Sequence, residues 1–311
     1  MFKKRKKEDP GRIRTLAEDL LKGVAHRGQL DTTWTAEGLV RRDESLLEQA
    51  LALELLETEG YAVRSGAGWK LTDKGHERAL ELLRAHRLVE TYLARQEGLP
   101  ASEIHAAAEK AEHGFTTEGI NRLADSMNRP RFDPHGDPIP ERAQDLHKLD
   151  QISLLEAEAG TVGRVAHIED EPRVEFENLL DMGLALELPI RVKANTGKGV
   201  VLELAGETLD LPSRLAAHIE MVKVSEEDWY PENLHRLSRL KSGQKGTVAF
   251  ISSACMGPER RRLLDFGLVP GSEVQREFSS PFGSPVAYSL RGTTIGLRES
   301  QARNIFIKTN S

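Results

Sequence analysis

A chain of 311 residues is too long for one small domain and suits two to four of ordinary size. Its one cysteine, Cys255, excludes an internal disulfide framework and the thiolate-rich zinc and iron–sulfur sites, so a metal must be held mainly by imidazole and carboxylate. A net charge of −6 argues against a whole-protein electrostatic grip on nucleic acid but not against a local one.

The basic start, residues 1–7, is followed by no apolar stretch, so it does not read as a secretory signal. No run approaches the roughly 18 apolar residues of a membrane span, so a cytoplasmic chain without membrane insertion is expected. Residues 13–25 carry apolar side chains at helical spacing, and Asp43-Glu44-Ser45 opens a second helical run over 46–59 that Gly60 stops. Tyr61-Ala62-Val63 and Trp69-Lys70-Leu71 flank Ser65-Gly66-Ala67-Gly68 as a two-stranded wing. Residues 1–72 therefore read as a winged helix-turn-helix.

Thr72-Asp73-Lys74 starts a helix that runs through Arg95, and Ala101-Ser102-Glu103 starts another through His113. Residues 130–140, dense in Pro, Gly and Asp, form an extended linker that closes a helical domain over 73–140. The remainder is an internal repeat. Gly160-Thr161-Val162-Gly163-Arg164-Val165 answers Gly243-Gln244-Lys245-Gly246-Thr247-Val248, and Leu179-Leu180-Asp181-Met182-Gly183-Leu184 answers Leu263-Leu264-Asp265-Phe266-Gly267-Leu268. Each copy, 141–225 and 234–311, alternates short β runs with glycines around one short helix, the pattern of a small SH3-like β-barrel. The fold class is α+β and multidomain.

Chemistry concentrates in the helical domain. His105, Glu109, Glu112 and His113 fall at i, i+4, i+7 and i+8, one stripe of a helix, and His86 and Glu90 form an i, i+4 pair on the helix before it. Imidazole and carboxylate without thiolate suit Mn²⁺, Fe²⁺, Zn²⁺ or Co²⁺. The same spacing on an Ala-rich helix also describes a solvated face.

Residues 72–140 resemble the metal-binding and dimerisation domain of the DtxR/MntR family of metal-dependent repressors. The matching residues are His86-Arg87-Leu88-Val89-Glu90, the run from Ile104-His105 to Glu112-His113, and Pro134-His135-Gly136-Asp137-Pro138-Ile139-Pro140. The resemblance implies a homodimer with two adjacent sites for Fe²⁺ or Mn²⁺. Glu109, Glu112 and His113 match the primary site, and Asp19 matches the ligand that the first helix supplies. His86, Glu90 and His105 match the second site, with Glu175 near the position from which a β-domain closes it and Glu171 as the less secure choice. Lys22 stands where manganese-type members offer a further carboxylate, and Glu109 stands where iron-type members carry cysteine.

The resemblance also implies a DNA operator as partner. The recognition region, Arg42-Asp43-Glu44-Ser45-Leu46-Leu47-Glu48-Gln49, departs from the family, because carboxylates facing phosphate are repelled. Contact with DNA then falls to Arg41, Arg42, Ser45, Gln49 and Arg64 and to the basic tail. Both β copies resemble FeoA-like domains, which implies interaction surface rather than catalysis. A second reading is a metal-sensing adaptor that has lost DNA binding and regulates a ferrous-iron transporter through protein contacts. No Walker loop, Gly-x-Gly-x-x-Gly turn or His-Glu-x-x-His pair is present, and an enzyme is not expected.

Overall fold

Asp9 caps the first helix by accepting a hydrogen bond from the Gly11 amide, and Pro10 occupies the first turn, where no amide is needed. The helix, α1 (Pro10–His26), therefore starts three residues before its apolar stripe does. The computed structural model describes residues 9–37, 39, 44–141, 150–227, 229, 233–280 and 282–309. They divide into two compact units, whose described residues fall within 1–91, 106–133 and 138–147 and within 92–105, 134–137 and 148–311.

In the first unit, α2 (Leu46–Thr58) opens with a reciprocal capping box. The Glu48 amide donates to the Ser45 hydroxyl at 3.1 Å, and the Ser45 amide donates to the Glu48 carboxylate at 2.8 Å. Gly60, at φ +74°, ends the segment in the left-handed conformation that glycine adopts without strain. Strands β1 (Ala62–Ser65) and β2 (Gly68–Leu71) pair antiparallel as the expected hairpin. Trp34 bridges to Trp69 from the segment between α1 and α2, where no further helix lies among the described residues. α1, α2, the hairpin and α3 (Asp73–Tyr92) enclose one core in which Leu20, Trp34, Leu56 and Leu83 are fully buried. Gly75 in α3 lies so close to the Tyr61 carbonyl that a Cβ would sit 1.8 Å from its oxygen.

Both helices of the expected metal-binding pair end earlier than their patterns run. α3 stops at Tyr92 and passes into a π turn over Leu93–Glu97, closed by Gly98 at φ +67°. α4 (Ala101–Ala111) stops two residues short of His113, and Glu112–Gly114 tighten into a 3-10 turn. α5 (Thr117–Ser126) follows, capped by the Thr116 hydroxyl.

The second unit holds the repeat, and the two copies share one topology. Copy one contains β3 (Gln151–Ser153), β4 (Val162–Ile168), α6 (Arg173–Asp181), β5 (Pro189–Asn195), β6 (Gly199–Leu204), β7 (Glu207–Pro212), α7 (Ser213–Ala216) and β8 (Ile219–Lys223). Its spatial order is β3-β8-β4-β5-β6-β7. Copy two contains β9 (Leu234–Arg236), β10 (Lys245–Ile251), α8 (Gly257–Asp265), β11 (Glu273–Ser279), β12 (Val286–Leu290), β13 (Thr293–Leu297), α9 (Glu299–Arg303) and β14 (Ile305–Lys308). Read from its other end, its order is β9-β14-β10-β11-β12-β13, the same arrangement strand for strand. Register shifts fall at matching places, between Val165 and His167 and between Val248 and Phe250. Such bulges bend a strand and let a sheet curl. Among the described residues the end strands do not pair with each other, so each copy is an open six-stranded sheet rather than a hydrogen-bonded closed barrel.

The Leu-Leu-Asp-x-Gly-Leu repeat is a helix terminus. Gly183 and Gly267 take φ +83° and +91°. The amides that follow them, Leu184 and Leu268, donate back to the Leu179 and Leu263 carbonyls. That is the hydrogen bond that closes a helix on a left-handed glycine.

Candidate metal centre

α1 carries Glu18, Asp19 and Lys22 within one turn, and all three side chains are largely withdrawn from solvent in the first unit. Leu20 and Leu21 anchor the same turn in the core at 0% and 1% exposure, which fixes the direction of their polar neighbours. The segment that ends α4 supplies the other half. Its 3-10 turn rotates Glu112 inward to 5% exposure and leaves His113 beside α1. The expected straight stripe is therefore broken at residue 112, because a 3-10 turn advances each residue further around the axis than an α-helix does.

His113 Nδ1 donates to Glu18 at 2.9 Å, while its Nε2 lies 3.3 Å from Asp19 and 3.6 Å from Glu112. Lys22 Nζ donates to Glu112 at 2.6 Å and lies 3.6 Å from Asp19 and 3.9 Å from Glu109. Asp19, Glu112 and His113 each offer a ligand atom, all within 4.8 Å of one another. Two carboxylates and one imidazole fit a borderline divalent ion such as Mn²⁺, Fe²⁺ or Zn²⁺.

His86, in the middle of α3, is held between two carboxylates. Its Nε2 lies 3.0 Å from Glu90 one turn along, and its Nδ1 makes a short hydrogen bond with Glu112. Burial opposes charge on the His86 ring, but Glu90 and Glu112 together override it and push the imidazole up to about 9. His113 is likewise pushed up to about 9, first by its contacts with Asp19 and Glu18 and against the effect of burial. Burial pulls Lys22 down, but Glu112, Asp19 and Glu109 outweigh it, so its ammonium is held above the usual lysine range. Glu112 thus touches Lys22, His86 and His113 at once.

In the second unit, His105 Nδ1 lies 3.1 Å from Asp170 and its Nε2 3.6 Å from Glu171. His135 of the linker lies 3.6 Å from the same Asp170 oxygen. Glu175 does not join this group. It sits in the first turn of α6, and both of its carboxylate oxygens accept from Arg214, at 2.6 and 2.7 Å. Asp170 is the acid that the sequence reading missed. Glu18 is the other, although it stands beside the expected Asp19. Burial and the neighbouring carboxylates Asp170 and Asp137 push Glu169 up to about 7, so acid is crowded along this loop.

Of the candidate DNA contacts, Arg41 and Arg42 lie outside the described residues. Ser45 is committed to the α2 cap. Gln49 donates to the Glu44 carbonyl at 3.1 Å, and the Arg64 guanidinium stacks over Trp69, 4.7 Å from the ring centre. Cys255 is fully buried, and burial pushes its thiol up to about 11, which makes it a poor nucleophile at neutral pH.

Comparison with known proteins follows these divisions. Residues 72–141 match the family described as iron-dependent repressor, metal binding and dimerisation domain, and residues 152–223 and 235–309 each match the FeoA domain. The iron-dependent repressor IdeR of Mycobacterium tuberculosis is 29% identical over 168 residues, which is 50% of this chain and 73% of that protein. A probable metal transport system membrane protein of Chlamydia trachomatis is 42% identical over 90 residues, and the match spans only 20% of that protein's length. Among solved structures, a manganese-dependent transcriptional repressor in complex with manganese covers 67% of this chain and 100% of its own, at 28% identity and a TM-score of 0.60. ScaR with bound Zn²⁺ covers 67% of this chain and 99% of its own, at 27% identity and a TM-score of 0.55.

Proposed function

Because the chain belongs to the DtxR/MntR family of metal-dependent transcriptional regulators and carries two C-terminal FeoA-like domains, we propose that it is a homodimeric regulator of metal homeostasis that responds to Fe²⁺ or Mn²⁺ and acts at a DNA operator. The cluster of Asp19, Glu112 and His113 carries this reading, because it joins the first helix to the metal-binding segment. A divalent ion held there would cross-link α1 to the end of α4. A ligand that binds only one arrangement of two elements stabilises that arrangement by its binding free energy. Glu109 belongs with this cluster by its place beside Lys22. His86 and Glu90 in the first unit, and His105 with Asp170 and Glu171 in the second, are the further candidate ligands.

Metal binding to these histidines has a proton signature. A ligating imidazole is neutral at the ligating nitrogen, whereas His86 and His113 stay protonated up to about 9 in the metal-free protein. Titrating Mn²⁺ at pH 7 in buffers of different ionisation enthalpy is expected to show proton release, and affinity is expected to rise between pH 7 and 9. The metal-free protein has the opposite sign. The stabilisation from these raised values is complete below about pH 6.5 and is lost as pH rises through about 9. Heat of binding independent of buffer would count against coordination by either ring.

For DNA, an electrophoretic mobility-shift titration at low salt with the region upstream of its own coding sequence is the test. A shift that requires Mn²⁺ or Fe²⁺ and is lost in chelator is expected. Exposed Leu46 and Leu47 on the first turn of α2, at 84% and 57%, favour the second reading, in which that face docks a protein such as a metal transporter. No metal-dependent shift, with metal binding intact, would select it.

A further inference from the structure

We propose that Lys22 is a resident cation of the Asp19–Glu109–Glu112 cluster, filling a place that would otherwise take a second divalent ion and tying α1 to the metal-binding segment before any metal arrives. The inference rests on the metal-site reading above.

Three observations carry it. The lysine is 9% exposed, and lysines are almost never withdrawn that far unless paired. Its partners come from both sides of the cluster. Asp19 lies on its own helix, three residues back, whereas Glu112 and Glu109 lie at the end of α4, so the ammonium bridges the same elements that a metal would bridge. Finally, three carboxylates surround one ammonium. An ammonium has three protons to donate and no lone pair, so it satisfies oxygen ligands but cannot share a position with a metal.

The position of Lys22 then limits what else can enter. Asp19, Glu109 and Glu112 bring three negative charges, and Lys22 returns one positive charge. Glu18 and Glu90 add negative charge around His113 and His86, and Arg78 offsets one of them, so it is the position taken by Lys22, not net charge, that keeps a second ion out. The lysine therefore sets both the number of ions and the size of the response. Part of the cross-link already exists in the metal-free state, so metal adds to it rather than creating it.

Native mass spectrometry and calorimetry with Mn²⁺ alone test this on the full chain with wild type, Lys22→Arg, Lys22→Met and Lys22→Glu. Lys22→Arg keeps the charge and is expected to bind as many ions as wild type. Lys22→Glu is expected to bind one more. Lys22→Met, which removes the charge without adding an acid, is expected to lower the melting temperature in chelator and to gain more from saturating Mn²⁺ than wild type does. If Lys22→Glu folds only with metal, its ion count is taken from protein refolded in Mn²⁺. Equal ion counts in wild type and Lys22→Glu would overturn the proposal, as would a Lys22→Met protein no less stable in chelator. If wild type binds no Mn²⁺ but Lys22→Glu binds one ion, the resident-cation proposal stands and the metal-site reading of the native chain falls.

Discussion

Glu112→Gln is expected to weaken divalent-metal binding at least about a hundredfold and to cost the metal-free protein about 3–5 kcal/mol. Both effects have one origin. The Glu112 carboxylate is 5% exposed, and it meets Lys22 and His113 with one oxygen and His86 with the other. Glutamine keeps the shape but removes the charge, which leaves buried cations facing a neutral amide. In chelator the full loss is expected near pH 7, where His86 and His113 are still protonated. Metal widens the gap further. An ion present at 100 times its dissociation constant stabilises the native state by about 2.7 kcal/mol, and a hundredfold weaker site gains only about 0.4 kcal/mol at the same concentration. Urea titrations of both proteins, with chelator and with Mn²⁺, give the four values needed. Superimposable curves in chelator would show that the cluster is a solvated face after all.

Gly136→Ala is expected to cost the second unit roughly 2–5 kcal/mol locally, from backbone strain of about 1–2 and overpacking of about 1–3 kcal/mol. Gly136 has φ +98°, and a Cβ there would lie 2.0 Å from the Ala166 carbonyl oxygen on β4. Neither atom belongs to a flexible side chain, so the strand or the linker must move. The neighbouring hydrogen bond, from the Ile168 amide to the His135 carbonyl at 3.0 Å, reports the result. Its amide should exchange about two orders of magnitude faster in the variant, and His135 should leave Asp170, 3.6 Å away. Unchanged exchange at Ile168 would mean that the linker adapts without undocking.

Local signals were readable where a residue's role depends on its neighbours in sequence. Ser45 at the opening of α2, the Ser65–Gly68 turn and the Leu-Leu-Asp-x-Gly-Leu helix ends are all of this kind, and each one stands where its pattern puts it. The repeat was readable for the same reason, since matching turns force matching strands. The partners of the candidate ligands were less so. Asp170 and Glu175 are five positions apart, and both precede the Leu179-Leu180-Asp181 run. Asp170 lies on a loop with no periodicity, so nothing in the sequence says which acid turns toward His105. Glu18 and Asp19 are adjacent on α1, and both meet His113, because an imidazole has two nitrogens that point in different directions. The break of α4 at Ala111 also escapes periodicity, since Glu112 and His113 keep helical spacing while leaving the helix.

The duplicated sheets carry a consequence for how such a chain can change over generations. The first copy's core is completed by Leu234 and Phe306 from the second copy, and the Phe306 ring stacks on Phe250 at 4.7 Å. Arg236 of the second copy spans the seam, donating to the Gly183 carbonyl of the first and the Arg303 carbonyl of its own. Duplication ordinarily frees one copy to drift. Here the seam removes that freedom, because an altered residue on either side must be answered on the other. The two copies therefore respond as one folded object, and a change at the seam is expected to register in both.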